Sequence, residues 1–192
     1  MKLSILICSI PSRSFKLQLL VEHLNKQIGF EAVEVLVEVD NKVMTIGAKR
    51  QLLLERATGD YVVSIDDDDW VPDYYIQQLL HAIKAKPDCI GFRISCDMQG
   101  VRKTANSSNK YSDWKDNTDG FNYVRTIYHK NPVKREIALH IGYNKNMRFG
   151  EDYDYSKRLK ASGLLINETY LSLIMYNYRY AYENPKTKYG MN

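Results

Sequence analysis

A short apolar run, Tyr61-Val62-Val63-Ser64-Ile65, ends abruptly in four consecutive carboxylates, Asp66 to Asp69, and then Trp70-Val71-Pro72. Val62, Val63 and Ile65 are β-branched, and Gly59-Asp60 is a turn signal in front of them. This pattern predicts a buried strand rather than a helix. Proline suits the first position of a helix, so Pro72 marks where one can begin. The carboxylates therefore fall between a strand and a helix, where open α/β sheets bind ligands. Four adjacent carboxylates repel one another: either some hold protons or a cation holds them together. Hard divalent cations such as Mg²⁺, Mn²⁺ and Ca²⁺ take oxygen ligands. The competing reading is a solvated acidic turn. It is weakened by the apolar strand before the run and by Trp70 and Pro72 after it. A calcium-binding hand does not fit, because it alternates its ligands over a longer loop with a central Gly and a closing Glu.

The same strand–helix rhythm runs through the first half of the chain. Leu3 to Ser9 reads as a strand, Ile10-Pro11-Ser12-Arg13 as a loop, and Ser14 as the cap of a helix. Leu17, Leu20, Val21, Leu24 and Ile28 recur at helical spacing until Gly29. Val33 to Val39 reads as a second strand, stopped by Asp40-Asn41. Thr45 caps a second helix that runs to Ala57, and the central strand follows. Pro72 to Ala85 carries Ile76, Leu79, Leu80 and Ile83 on one face, and Cys89 to Ile94 is again a strand. Such alternation predicts a largely parallel sheet with right-handed crossovers. Beyond it, Ser95 to Gly120 is polar and reads as a loop or irregular hairpin. Phe121 to His129 reads as a strand and Val133 to Gly142 as a short helix or bend. A helix follows from Glu151 to Ala161, then one or two strands within Leu164 to Tyr178. The end, from Arg179, is tyrosine-rich and basic.

A chain of 192 residues suits one domain with a sizeable core. Net charge of +4 permits an anionic ligand without demanding nucleic acid. Cys8, Cys89 and Cys96 are odd in number and irregular in spacing, which argues against a disulfide framework and for reduced thiols in a cytoplasmic setting. Leu3 to Ile10 is too short for a signal peptide or a membrane span, so membrane contact is expected to be peripheral if it occurs.

Taken in order, the motifs resemble the catalytic domain of family 2 glycosyltransferases. The resemblance is carried by Gly47-Ala48-Lys49-Arg50-Gln51, by Thr58-Gly59-Asp60-Tyr61, by Asp66-Asp67-Asp68-Asp69-Trp70-Val71-Pro72, and by Gly150-Glu151-Asp152 with Lys157-Arg158-Leu159. It implies an α/β, Rossmann-like GT-A fold with a single mostly parallel central sheet flanked by helices. Residues up to about 94 would bind the nucleotide sugar, and the rest the acceptor. The resemblance implies that Ile10, Pro11, Ser12 and Arg13 line the base and ribose, that Asp40 pairs with uracil, and that Lys49 or Arg50 sits near the nucleotide. Asp66 would lie near the ribose or diphosphate and share the metal, Mn²⁺ or Mg²⁺, with Asp68, its main ligand. Asp67 stands between them, and the run of four leaves the register open by one residue. Asp152 would be the general base, with Glu151 beside it. The implied partners are a UDP-sugar donor and a glycan or other hydroxyl acceptor. Two departures stand out: the second strand ends in Asp-Asn where the family often has Asp-Asp, and Gln51 replaces the usual Asn.

This chemistry suits sugar transfer. A cation at the acidic run offsets the charge that grows on a departing nucleoside diphosphate. A carboxylate on the far side of the sugar takes the acceptor proton. One base on the opposite face implies inversion, since a retaining double displacement needs two carboxylates close to the sugar. Two rival classes are a nucleotidyltransferase of the same fold and a non-catalytic nucleotide-sugar or glycan-binding module. The first wants a Gly-rich phosphate loop, and Ile10 to Arg13 contains no Gly. Secondary candidates are Arg179 for the diphosphate, Trp114 and Tyr111 as stacking platforms for an acceptor sugar, and His129 and His140. The basic stretch Lys130 to Arg135 reads as a solvated face.

Overall fold

The computed structural model describes residues 1–29 and 32–180. Among these residues the chain forms nine strands and five α-helices. They run β1 (Leu3–Ser9), α1 (Ser14–Gln27), β2 (Val33–Val39), α2 (Ile46–Arg56), β3 (Tyr61–Ser64), α3 (Tyr75–Ile83), β4 (Cys89–Met98), β5 (Val101–Ser107), β6 (Lys115–Thr118), β7 (Phe121–Arg125), β8 (Val133–Lys134), α4 (Arg135–Ile141), α5 (Glu151–Ala161) and β9 (Glu168–Tyr180).

The expected parallel core is the trio β2–β1–β3, with Leu3 paired to both Val33 and Tyr61. Every residue of β1 is buried, as in a central strand covered on both faces. Successive side chains point to opposite faces. Leu3, Ile5 and Ile7 pack with Leu20 and Leu24 of α1 and with Ile76 and Leu79 of α3. Leu6 and Cys8 pack with Leu53 and Leu54 of α2 and with Leu159 of α5. The three cysteines are free thiols inside these layers.

Past β3 the sheet becomes mixed. Short β8 joins β3 to β4, antiparallel to both. Long β4 then carries β5 antiparallel on one side and β9 parallel on the other. Of the two readings of the polar stretch from Ser95, the hairpin holds as far as Ser107 and is regular, with Met98 paired to Val101; β6 follows at Lys115–Thr118. The hairpin strands read as polar because their outer faces are solvated. Three boundaries also move. Ser14 is the first residue of α1 rather than its cap. The helix after the acidic run starts at Tyr75, and Pro72 instead accepts a turn bond from the Tyr75 N–H (3.0 Å). The 121–129 strand stops at Arg125. Thr45 does cap α2, its hydroxyl accepting from the Ala48 N–H at 3.0 Å. Of the tyrosine-rich end, Arg179 and Tyr180 belong to β9; the remainder lies outside the described residues. No helix among the described residues is long and apolar enough to cross a membrane.

Candidate active site

The segments that follow β1 and β3, the start of α5 and the end of β9 enclose one cleft of about 660 Å³, lined among others by Arg13, Asp68, Trp70, Arg148, Asp152 and Arg179. The four carboxylates sit in its floor, and their repulsion is met from within the protein. Asp66 binds the Arg50 guanidinium (Nη2 to Oδ1, 2.8 Å) and the Lys130 ammonium (Nζ to Oδ2, 2.9 Å), with His129 Nε2 at 3.4 Å. Burial alone would raise the Asp66 pKa, but Lys130, His129 and Arg50 together hold it well below the usual carboxylate range. Asp69 accepts from Lys130 Nζ (2.5 Å), the Tyr176 hydroxyl (2.8 Å) and the Arg179 N–H (2.8 Å). Asp67 accepts from Ser9 Oγ (2.5 Å) and Arg13 Nη1 (2.8 Å). Lys130 therefore belongs to no solvated face. It is buried, and its charge is neutralised by Asp66 and Asp69.

Asp68 differs from its neighbours. Its side chain is 32% exposed and pairs with Arg13 Nη1 at 3.1 Å. Burial raises its pKa to about 6, and Asp69, Asp66 and Asp67 push the same way against Arg13. Among the described residues no three His, Cys, Asp or Glu side chains converge to hold a metal. A hard cation held by one or two carboxylates, waters and substrate phosphates needs no such cage. Asp68, a half-exposed oxygen donor at the cleft, fits that mode; the oxygens of Asp66 are engaged by three cationic or imidazole groups.

Arg50 links the acidic floor to α5. Its Nε donates to Glu151 Oε1 at 3.0 Å, and Glu151 is only 6% exposed. Glu151 and Asp152 open α5, where carboxylates are favoured by the helix dipole. Asp152, 30% exposed, lines the cleft opposite the acidic run. Its Oδ1 accepts its neighbour Tyr153 N–H at 2.8 Å, and His129 Nδ1 lies 4.0 Å from Oδ2. His129 thus stands between Asp66 and Asp152. Sequence reasoning favoured a surface or packed role for it; it is indeed buried, but against two carboxylates that lie far along the chain. His140 is exposed.

Asp40, just past the end of β2, and Lys49 are not among the residues that line this cleft; Asp40 pairs with Lys49 Nζ (2.5 Å) and accepts the Met44 N–H (2.7 Å). Lys49 also donates to the Ser9 carbonyl at 2.9 Å, tying the ends of β1 and β2 together. Burial would raise the Asp40 pKa, and the Lys49 and Met44 bonds bring it below the usual value. Ile10, Pro11 and Ser12 form the turn that carries Arg13 into the cleft. Gln51 is structural: its Oε1 accepts the Tyr143 N–H at 2.6 Å. Arg179 reaches the cleft and lies over the Trp70 ring, 5.2 Å from its centroid. A second cavity of about 480 Å³ also has Asp66, Asp152 and Tyr178 in its lining.

Comparison with known proteins bears on the fold and the family. The chain superposes on S. aureus TarS residues 1–349 with a TM-score of 0.70 at 16% identity, covering 93% of this chain and 60% of that one. Against TarS 1–349 in complex with UDP-GlcNAc the TM-score is 0.71 at 14% identity, covering 94% and 59%. A longer TarS structure gives 0.69 at 15%, covering 99% of this chain and 38% of TarS. The chain thus spans at most about three fifths of the length of these structures, and the likeness establishes a GT-A-like fold. No curated protein sequence matches. The sequence profile described as Glycosyl transferase family 2 matches residues 17–152, more than half of the chain and both carboxylate motifs. The chain belongs to glycosyl transferase family 2.

Proposed function

We propose that the protein moves a sugar from a nucleoside diphosphate, most favourably UDP, to a hydroxyl acceptor with inversion at the anomeric carbon. The observation that carries this reading is Asp152: an accessible carboxylate in the same cleft as Asp68, on an element of its own. The acceptor O–H gives its proton to Asp152 as its oxygen bonds to the anomeric carbon. The bond from that carbon to the diphosphate breaks, and its electron pair leaves with the diphosphate oxygen. Glu151 is bound to Arg50 and buried, which favours a positioning role for it rather than that of a nucleophile.

Asp68 would hold a divalent cation, Mn²⁺ or Mg²⁺, which supplies charge stabilisation to the leaving diphosphate. Arg13, Arg148 and Arg179 line the same cleft and favour a polyanion there. Asp40 keeps a fixed orientation through Lys49 and Met44, and each of its oxygens retains a lone pair for a uracil N–H. The UDP-GlcNAc and UDP complexes of the structurally similar TarS support uridine.

The test is calorimetric titration with UDP, GDP, CDP and dTDP, each with Mn²⁺ and with chelator. Metal-dependent binding of UDP is expected. Asp152→Asn should keep that binding and lose about 10²- to 10⁴-fold in transfer rate. Wild-type transfer by Asp152→Asn would remove it as the base. Binding of UDP with no turnover of any UDP-sugar would favour a non-catalytic module.

A further inference from the structure

The second cavity has a chemistry of its own. Its floor is one face of a twisted sheet, where Ile94, Cys96 and Met98 alternate along β4. The pairing register places Ala105 of β5 opposite Ile94, and Tyr178 and Tyr180 of β9 beside Cys96 and Met98. Trp114, Tyr123 and Tyr128 complete an aromatic wall. The Trp114 indole is held in place: its N–H donates to Ser156 Oγ at 3.0 Å, and its ring meets Tyr128 and Tyr153 edge-on. Of the two stacking candidates named from sequence, Trp114 lines the cavity. Tyr111 instead donates its hydroxyl to Asp119 at 2.7 Å.

The lining is different beside Asp66 and Asp152. Arg50 and His129 line the cavity there, 5% and 4% exposed. Each keeps a buried nitrogen without a hydrogen-bond partner, Arg50 Nη1 and His129 Nδ1. Leaving such groups unpaired is costly, so orphaned nitrogens at a cavity call for a ligand with oxygen atoms. The lining therefore combines an apolar, aromatic surface with two polar atoms lacking partners and two part-exposed carboxylates, of which Asp66 is held by Arg50 and Lys130 and Asp152 by no cation within 3.5 Å among the described residues. An acyl chain would cover the surface and leave the nitrogens unpaired. An anionic acceptor would meet cations already neutralised, since Lys130 is paired to Asp66 and Asp69, Arg50 to Asp66 and Glu151, and Arg125, which lies against the Trp114 and Tyr123 rings, to Asp116. A pyranose ring satisfies all three parts, with an apolar C–H face for the aromatic rings and hydroxyls for the nitrogens and for Asp152.

We infer that this cavity is the acceptor subsite and that the acceptor is a neutral pyranose, laid on the aromatic wall with one hydroxyl turned to Asp152. The inference rests on the transferase reading above and deepens it. The experiment uses the whole chain saturated with UDP and Mn²⁺, titrated with methyl pyranosides and with α- and β-linked disaccharides. Binding is followed by calorimetry and by tryptophan fluorescence, since Trp114 lines this cavity and Trp70 the other. At least one saccharide is expected to bind and shift the fluorescence. Tyr123→Ala, which removes a ring from this cavity only, should weaken it about tenfold. Met98→Trp, which fills the cavity, should abolish it. Both variants should keep wild-type UDP affinity, which also reports that they are folded. UDP binding with no saccharide binding, or saccharide affinity equal in wild type and Met98→Trp, overturns the assignment. A nucleoside or a tyrosine peptide binding there in place of every saccharide does so too. Failure of the wild type to bind UDP at all overturns the donor reading first, and is told apart by that titration.

Discussion

Four aspartates in a row are tolerable here because each meets a different set of partners. Asp66 and Asp69 share the Lys130 ammonium, Asp67 takes Arg13 and Ser9, and Asp68 is left with Arg13 and partial solvent. The acidic run was legible from its first five neighbours, since an apolar β-branched strand points straight at it. Its counter-ions were not: Lys130 comes from more than sixty residues away, and a basic stretch carries no signal that one of its members is buried. Lys130→Met should leave Asp66 and Asp69 without their shared cation and cost about 3–5 kcal/mol, read as a lower urea midpoint. Asp68 behaves in the opposite sense. Its pKa rises from 3.8 to about 6 on folding, so the folded state disfavours its charge. Near pH 3.8 the penalty is small; it grows as pH rises and is complete above about 6. Asp68→Asn should therefore raise the melting temperature at neutral pH and have little effect near pH 3.8. Equal shifts at both pH values would contradict that account.

Among the elements, the first six alternated strand and helix strongly enough to be read directly, because β1 and β3 are buried on both faces and α1 and α3 have periodic apolar faces. The β4–β5 hairpin was only half legible, as one of two readings. Arg102, Lys103 and Thr104 of β5 carry no apolar alternation, and the strand is held by pairing with β4 on one side and β7 on the other. The parallel trio is locked by Glu34 on β2. Its carboxylate accepts from Ser4 Oγ (2.6 Å), the Thr58 N–H (2.7 Å) and Lys2 Nζ (2.9 Å). Burial would raise its pKa, but these bonds lower it from 4.5 to about 2. The sign is that of a depressed acid: the contribution is full above pH 4.5 and is lost as pH falls through about 2. Glu34→Gln should thus cost about 2 kcal/mol at neutral pH, with the gap to wild type closing as pH falls towards 2. Chemical denaturation across that range measures the convergence.

At the scale of the molecule, the cleft brings together the turn at Arg13, the acidic run after β3, the start of α5 and the end of β9. Trp70 fastens this assembly, pairing both backbone groups with Asn177 of β9 (3.0 and 2.8 Å). A ligand that spans the cleft therefore touches elements from both halves of the chain, and should stabilise the whole fold rather than one loop. Ligand linkage gives about 2.7 kcal/mol at a concentration one hundred times the dissociation constant. UDP with Mn²⁺ should accordingly raise the melting temperature by several degrees, as scanning fluorimetry reads directly. The two carboxylate variants then separate. If Asp68 holds the cation as proposed, Asp68→Asn should lose the metal-dependent part of the shift. If Asp152 is the base as proposed, Asp152→Asn should keep the full shift. If Asp68→Asn retained the shift and chelator left it intact, the diphosphate would instead be held by the arginines that line the cleft, Arg13, Arg148 and Arg179. The acidic run would then serve to position those cations.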